Sequence, residues 1–194
     1  IRILNKEYIR REAMLPLEAN IADVKGLTDI ASANPAVTFI ASRIKFGVLL
    51  NIENDNKPTL GIGVDPEKEE RISELSRYIV EGRKIVAGSA EVNVGFRLAR
   101  DMRLKFGDTM TILTQTAYGS LGAINLKIVG IFRSGVFTLD NKVFYLPLDQ
   151  AQKLLDLDNR ATELFLLIKN PDEAIRVAGQ LQAVVDQTYP GKYK

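Results

Sequence analysis

Apolar positions along the chain come in short stretches whose period changes repeatedly from strand-like to helix-like. Residues 1–9 alternate imperfectly and predict a first strand. Asn20 is placed to cap a helix carrying Ile21, Val24, Leu27, Ile30 and Ala31 on one side, which Asn34-Pro35 stops. Residues 37–52 are rich in β-branched and aromatic side chains and read as one long strand or two short ones. The turn cluster Asn54-Asp55-Asn56-Lys57-Pro58 follows, and residues 59–64 return as the second arm of a hairpin.

Asp65-Pro66-Glu67 is a strong helix start, because the Asp oxygen accepts from unpaired amides and Pro is harmless at the first helical position. Ile72, Leu75, Ile79 and Val80 would form that helix's buried face, with Gly82 ending it in a left-handed conformation. Residues 84–87 predict a short strand, and 96–103 a helix stopped by Phe106-Gly107-Asp108. Residues 109–116 and 123–132 pair as strands around the Tyr118–Gly122 loop, and 135–146 predict another hairpin turning at Asp140-Asn141. Ala151, Leu154 and Leu155 mark a short helix, and 162–168 a strand of buried character. Asn170-Pro171-Asp172-Glu173 opens a last helix whose stripe is Ile175, Ala178, Leu181 and Val185. Helices and strands mix too irregularly for a doubly wound parallel sheet, so the fold class is α+β.

Composition then narrows the chemistry. At 46% hydrophobic and 26% charged, the 194 residues describe a globular chain of one or two small domains that needs neither disulfide nor metal to hold a core. A net charge of +2 gives no long-range field for nucleic acid, and the aromatic residues are too dispersed for a base-stacking platform. No nucleic-acid partner is expected. The longest apolar run, 164–168, is far short of the ~20 residues a spanning helix needs. An Ile at position 1 and a polar tail ending at Lys194 read as a domain cut from something larger, with a processed mature protein as the alternative.

The chain contains no His and no Cys, which removes the commonest general base, Ser-His and Cys-His triads, and ordinary zinc sites. Carboxylate or Ser-Lys chemistry stays open as a soluble-hydrolase alternative, but Asp65, Glu67, Asp172 and Glu173 sit at helix starts, and Asp108 and Asp140 in turns. Gly61-Ile62-Gly63 suggests a dinucleotide fingerprint, yet Pro66 stands at the third position and offers no amide, so close approach of the backbone is the preferred reading. No catalytic residue, cofactor or metal is therefore assigned. Arg97, Arg100, Arg103 and Lys105 put positive charge near one helix, read either as a solvated face or as contact with an acidic partner or anionic headgroups. Tyr118 and Leu121 in one loop, and Phe137 and Leu139 beside the Asp140 turn, are candidate partner contacts.

An ordered series of segments adds to this reading. Asn34-Pro35-Ala36-Val37 leads to Ser42-Arg43-Ile44, and Gly63-Val64-Asp65-Pro66-Glu67-Lys68-Glu69 follows. Leu98-Ala99 with Phe106-Gly107-Asp108, then Val129-Gly130-Ile131-Phe132 and Tyr145-Leu146-Pro147-Leu148, complete the order. The series resembles the MacB-like periplasmic core domain of FtsX/LolC/LolE/MacB-type ABC-transporter permeases. That resemblance implies a two-part extracytoplasmic domain: a βαβ-rich porter-like part from 1–64 plus 150–194, and an inserted β-rich, sabre-like part at 65–149. It implies a non-catalytic module anchored to the inner membrane by helices outside these residues, paired with a second permease copy and a cytoplasmic ABC ATPase, and moving a lipoprotein, lipid or other envelope substrate. A lipoprotein or a periplasmic adaptor is the implied outer partner, and a stand-alone adaptor is the remaining alternative. LolC-type domains carry an extended hook that grips a lipoprotein chaperone, whereas residues 115–122 form too short a connection for one, which leaves the cargo open.

Overall fold

A computed structural model describes residues 1–52 and 55–194, with side chains described outside 51–56. Strand β1 (Arg2–Leu4) is followed by helix α1 (Lys6–Arg10), α2 (Val24–Ser32), β2 (Val37–Ile52), β3 (Asp55–Val64) and α3 (Pro66–Ser73). Next come β4 (Ile79–Gly82), β5 (Glu91–Gly95), α4 (Phe96–Asp101), β6 (Thr109–Gln115) and β7 (Leu121–Phe132). The chain ends with α5 (Phe137–Lys142), β8 (Val143–Pro147), α6 (Leu148–Leu155), β9 (Glu163–Ile168) and α7 (Ala174–Thr188). The fold is α+β, as the irregular mixing of periods requires. Asn54 of the predicted turn cluster lies outside the described residues, as do the side chains of Asp55 and Asn56.

The chain forms two compact units, Ile1–Arg43 with Asn159–Lys194, and Ile44–Asp158. The resemblance places its seams at 64/65 and 149/150 instead. The difference arises because β3 pairs in parallel with β8, from Leu60↔Val143 to Val64↔Pro147, and so belongs with the middle of the chain.

In the first unit β9 lies between β1 and the first half of β2 and is antiparallel to both. β1 and β2 are therefore parallel to each other and are joined through α2, a split βαβ arrangement. The register puts Ile3 opposite Leu164 and Ile40 opposite Leu166, so one sheet face is apolar. Leu27 and Ala31 of α2, and Val177, Leu181 and Val185 of α7, cover that face. Asp23, not Asn20, caps α2, accepting from the Gly26 amide at 2.8 Å. Asn20 instead donates to the Leu17 carbonyl and accepts from Arg160. Tyr189 donates to Asp23 at 2.6 Å; this bond pushes the Tyr189 hydroxyl up to about 12 and holds the Asp23 carboxyl below its usual range. Pro171–Glu173 form a separate 3₁₀ turn ahead of α7; Leu181 and Val185 of the expected stripe are buried, but Val177 takes the inward place at the start of the helix and Ile175 is 90% exposed.

In the second unit the order is β2 (second half), β3, β8, β5, β7, β4, with β6 on the far portion of β7. Phe132, Val143 and Tyr145 build its core with Ile62 and Val64 of β3 and Leu75. The helix expected to run from Pro66 to Gly82 stops at Ser73. Glu74 adopts a left-handed conformation (φ 49°), and Ile79–Gly82 pair as a strand with β7. β-Branched Ile79 and Val80 suit that ladder better than a helix interior, and Val80 is 57% exposed. The strand expected at 84–87 is irregular, and the unforeseen β5 lies between β8 and β7.

Candidate interaction surface

Two places in the second unit carry the expected contact residues. At the first, β6 and β7 form the predicted hairpin, with Leu113 opposite Ala123 and Gln115 opposite Leu121. Leu113, Leu121 and Ala123 all point away from the core, and Leu121 is 89% exposed. The intervening turn is firmly built. The Thr116 amide donates to the Ser120 carbonyl at 2.8 Å, Gly119 donates back to Thr116, and Gly119 takes the positive φ (+87°) that favours glycine. The Ala117 amide donates to the Leu155 carbonyl at the end of α6. Tyr118 thus projects outward from a short, anchored turn rather than an extended hook.

The second place is α5, where 135–146 were expected to form a hairpin. Asp140 does not turn the chain there. It is buried, and its carboxylate accepts from the Ser134 amide at 2.7 Å, the Ser134 hydroxyl at 2.8 Å and the Gly135 amide at 3.3 Å. A carboxylate holding three donors ties the helix back onto the loop that precedes it, and short-range sequence chemistry cannot tell this from a turn. Losing those charge-assisted bonds in a buried setting gives the expected cost: Asp140→Ala lowers unfolding free energy by about 2 kcal/mol. Urea titration checks it, and an unchanged midpoint would contradict it.

Alternation along 135–146 would have put Phe137 and Leu139 on one side. On the helix they part. Leu139 packs against the core of Ile62, Val64 and Tyr145, whereas Phe137 remains 62% exposed beside exposed Val136. The structure therefore brings Tyr118 and Leu121 together on one hairpin and leaves Phe137 on a separate element. Val136 joins the second surface, and Leu113 joins the first without having been foreseen, although the outward phase of β6 was available as a signal for it.

The basic residues near α4 also separate. Arg100 pairs with Asp101 at 2.9 Å, and Asp101 also accepts from Lys57 at 2.7 Å. These two bonds, Lys57 first, hold the Asp101 carboxyl below its usual range. Asp108 accepts from the Lys105 amide. Arg97 stacks over the Phe137 ring at 5.0 Å, and Arg133 over Phe96 at 3.8 Å.

The Gly61–Gly63 pair has a packing explanation. A Cβ on Gly61 would lie 2.4 Å from the Phe46 ring, and one on Gly63 2.4 Å from Ala151 of α6. Close approach to side chains, rather than to a pyrophosphate, accounts for both glycines.

No protein-family model matches the chain, and no curated protein matches it in sequence. Solved structures do. The extracellular domain of the noncanonical ABC-type transporter YknZ from Gram-positive bacteria superposes on the whole chain with a TM-score of 0.67, at 9% identity and over 97% of its own length. The periplasmic region of MacB from Actinobacillus actinomycetemcomitans gives 0.65 over the whole chain and 86% of its own, at 11% identity. A domain assigned to a permease protein from Porphyromonas gingivalis gives 0.52 over 86% of this chain and 79% of its own, at 13% identity. The chain has the fold of the YknZ extracellular domain and the MacB periplasmic region. None of its described helices is long and apolar enough to cross a membrane.

Proposed function

We infer that this chain is the extracytoplasmic domain of an ABC-transporter permease, held at the inner membrane by helices outside residues 1–194. It transmits movement driven by a cytoplasmic ATPase to an envelope substrate, working beside a second permease copy. The observation that carries this reading is the match over the length of the chain to two transporter domains that share about a tenth of its sequence. Fold likeness is an analogy for function, so the site must be consistent with it. Several acidic groups have structural roles: Asp65 caps α3, Asp140 ties α5 to its loop, and Asp101 pairs with Lys57 and Arg100. That pattern supports work done by surfaces rather than by reactive side chains. The short β6–β7 turn favours a partner other than one gripped by a long hook, with lipoprotein, lipid and adaptor as the remaining classes.

The test begins with the full-length gene product, tagged and expressed in its own cells. It should fractionate with membranes, expose residues 1–194 to protease added outside spheroplasts, and co-purify with a P-loop ATPase. A product recovered wholly in the soluble fraction, with no ATPase attached, would overturn the reading.

A further inference from the structure

Arg97 and Arg133 differ from the other basic residues of the second unit. Each guanidinium lies over an aromatic ring, 5.0 Å and 3.8 Å from its centre, and among the described residues neither has a carboxylate partner. The neighbouring carboxylates are already engaged: Asp101 by Lys57 and Arg100, Asp108 by the Lys105 amide, Asp140 by Ser134 and Gly135. A guanidinium held over a ring by its cationic carbon still offers its N–H donors in the fork that matches a carboxylate; Arg133 is exposed and Arg97 half-exposed. The scaffold is rigid as well, since the Arg133 amide donates to the Tyr78 carbonyl and the Val136 amide to the Ser134 hydroxyl. Exposed Val136 and Phe137 add an apolar anchor to this uncompensated positive charge.

We propose that Phe96, Arg97, Arg133, Val136 and Phe137 form a docking surface for an acidic segment of a partner protein, one whose carboxylates are interspersed with apolar side chains. Charge complementarity selects the carboxylates, and the exposed ring and valine select their apolar neighbours. Enrichment in arginine and aromatic residues is the composition of energetically dominant protein contacts. A lipid surface is the poorer occupant. Helices that lie on membranes present a long apolar face, whereas α4 and α5 have six residues each and offer two exposed apolar side chains beside the arginines. The surface requires neither a membrane anchor nor an ATPase, so its test succeeds or fails separately from the transporter reading.

The 194-residue chain is titrated against a fluorescein-labelled peptide of Glu-Phe pairs spaced by Gly, against its Gln-Phe counterpart, and against phosphatidylglycerol vesicles. Wild type should bind the Glu peptide in preference to the Gln peptide, more weakly as salt rises. Arg97→Gln/Arg133→Gln should lose about tenfold in affinity. Arg10→Gln/Arg176→Gln, which changes net charge equally, should bind like wild type. Arg97→Glu/Arg133→Glu should turn the preference to a Lys-Phe peptide, and thermal melts should show every variant folded. Equal loss in both Gln double variants, binding to vesicles but not to the Glu peptide, or no peptide binding at all would each overturn the proposal.

Discussion

Glu163→Ala should lower the unfolding free energy by about 3 kcal/mol, the largest effect expected of any single polar substitution in the first unit. Glu163 follows the opposite phase from Leu164 and Leu166, so its side chain leaves the apolar face on which α2 and α7 lie. It is nonetheless 1% exposed. Across the ladder it stands opposite Leu4 on β1 and Arg43 on β2. Arg2 reaches it at 3.1 Å and Arg43 at 3.8 Å, with Arg43 itself stacked on Phe165 at 4.7 Å. Tyr8 is buried close by, and desolvation first, then the Glu163 charge, push its hydroxyl up. Removing the carboxylate strands a mostly buried guanidinium, and this penalty outweighs the modest net value of the pair itself. Urea unfolding followed by circular dichroism should show the midpoint fall without a change in slope. Glu163→Leu/Arg43→Leu should lie closer to wild type than the sum of its single variants, because no buried charge is left unmatched and the more exposed Arg2 keeps its pairing with Glu12. A Glu163→Ala variant as stable as wild type would mean that water already solvates the cluster.

Gly61→Val should cost about 3 kcal/mol or more, since the added atoms have nowhere to go. Gly61 sits beneath Phe46 and Phe144, whose rings meet edge-to-face at 6.0 Å, and an added Cβ would stand 2.4 Å from one and 2.8 Å from the other. Both rings are fully buried, so neither has an empty rotamer to move into. The strain is local to the second unit. Gly61→Ala/Phe46→Leu should therefore recover much of the loss seen in Gly61→Ala alone, because the shorter side chain vacates the clash. Thermal melts of wild type, Gly61→Ala, Phe46→Leu and the double variant decide this, and additive losses in the double variant would refute the packing account. The same experiment bears on the nucleotide reading of Gly61-Ile62-Gly63, which predicts no relief from shortening Phe46.

Much of the secondary structure is legible locally. The β2 strand, the Asp65 cap and Pro66 start of α3, the β6–β7 hairpin and the short α6 all follow from residues within a few positions of one another, because caps and turns satisfy backbone groups at short range. The misreadings share one cause. Asp140 carries a turn residue's chemistry but uses it to hold Ser134 and Gly135. Ile79-Val80 carry a helix-compatible spacing, but a place beside β7 draws them into a strand. In each case a partner distant in sequence outweighs a propensity worth only a fraction of a kcal/mol. The contact residues were legible as apolar side chains near turns, but which of them stay outside was not: Leu139 goes in and Phe137 stays out because a helix, not a hairpin, sets their phase.

By itself the sequence determined an α+β chain without thiol or imidazole, a set of well-capped elements and the absence of any long apolar run, since these depend on residue identity and near neighbours alone. Tertiary structure decided the split βαβ order of the first unit, the seam within β2, the burial of Glu163 between two arginines and the stacking of Arg97 and Arg133 on aromatic rings. The Arg2–Glu163 pair alone joins residues 161 positions apart, and only closure of the chain brings such groups within a few ångströms, where charge and packing can act.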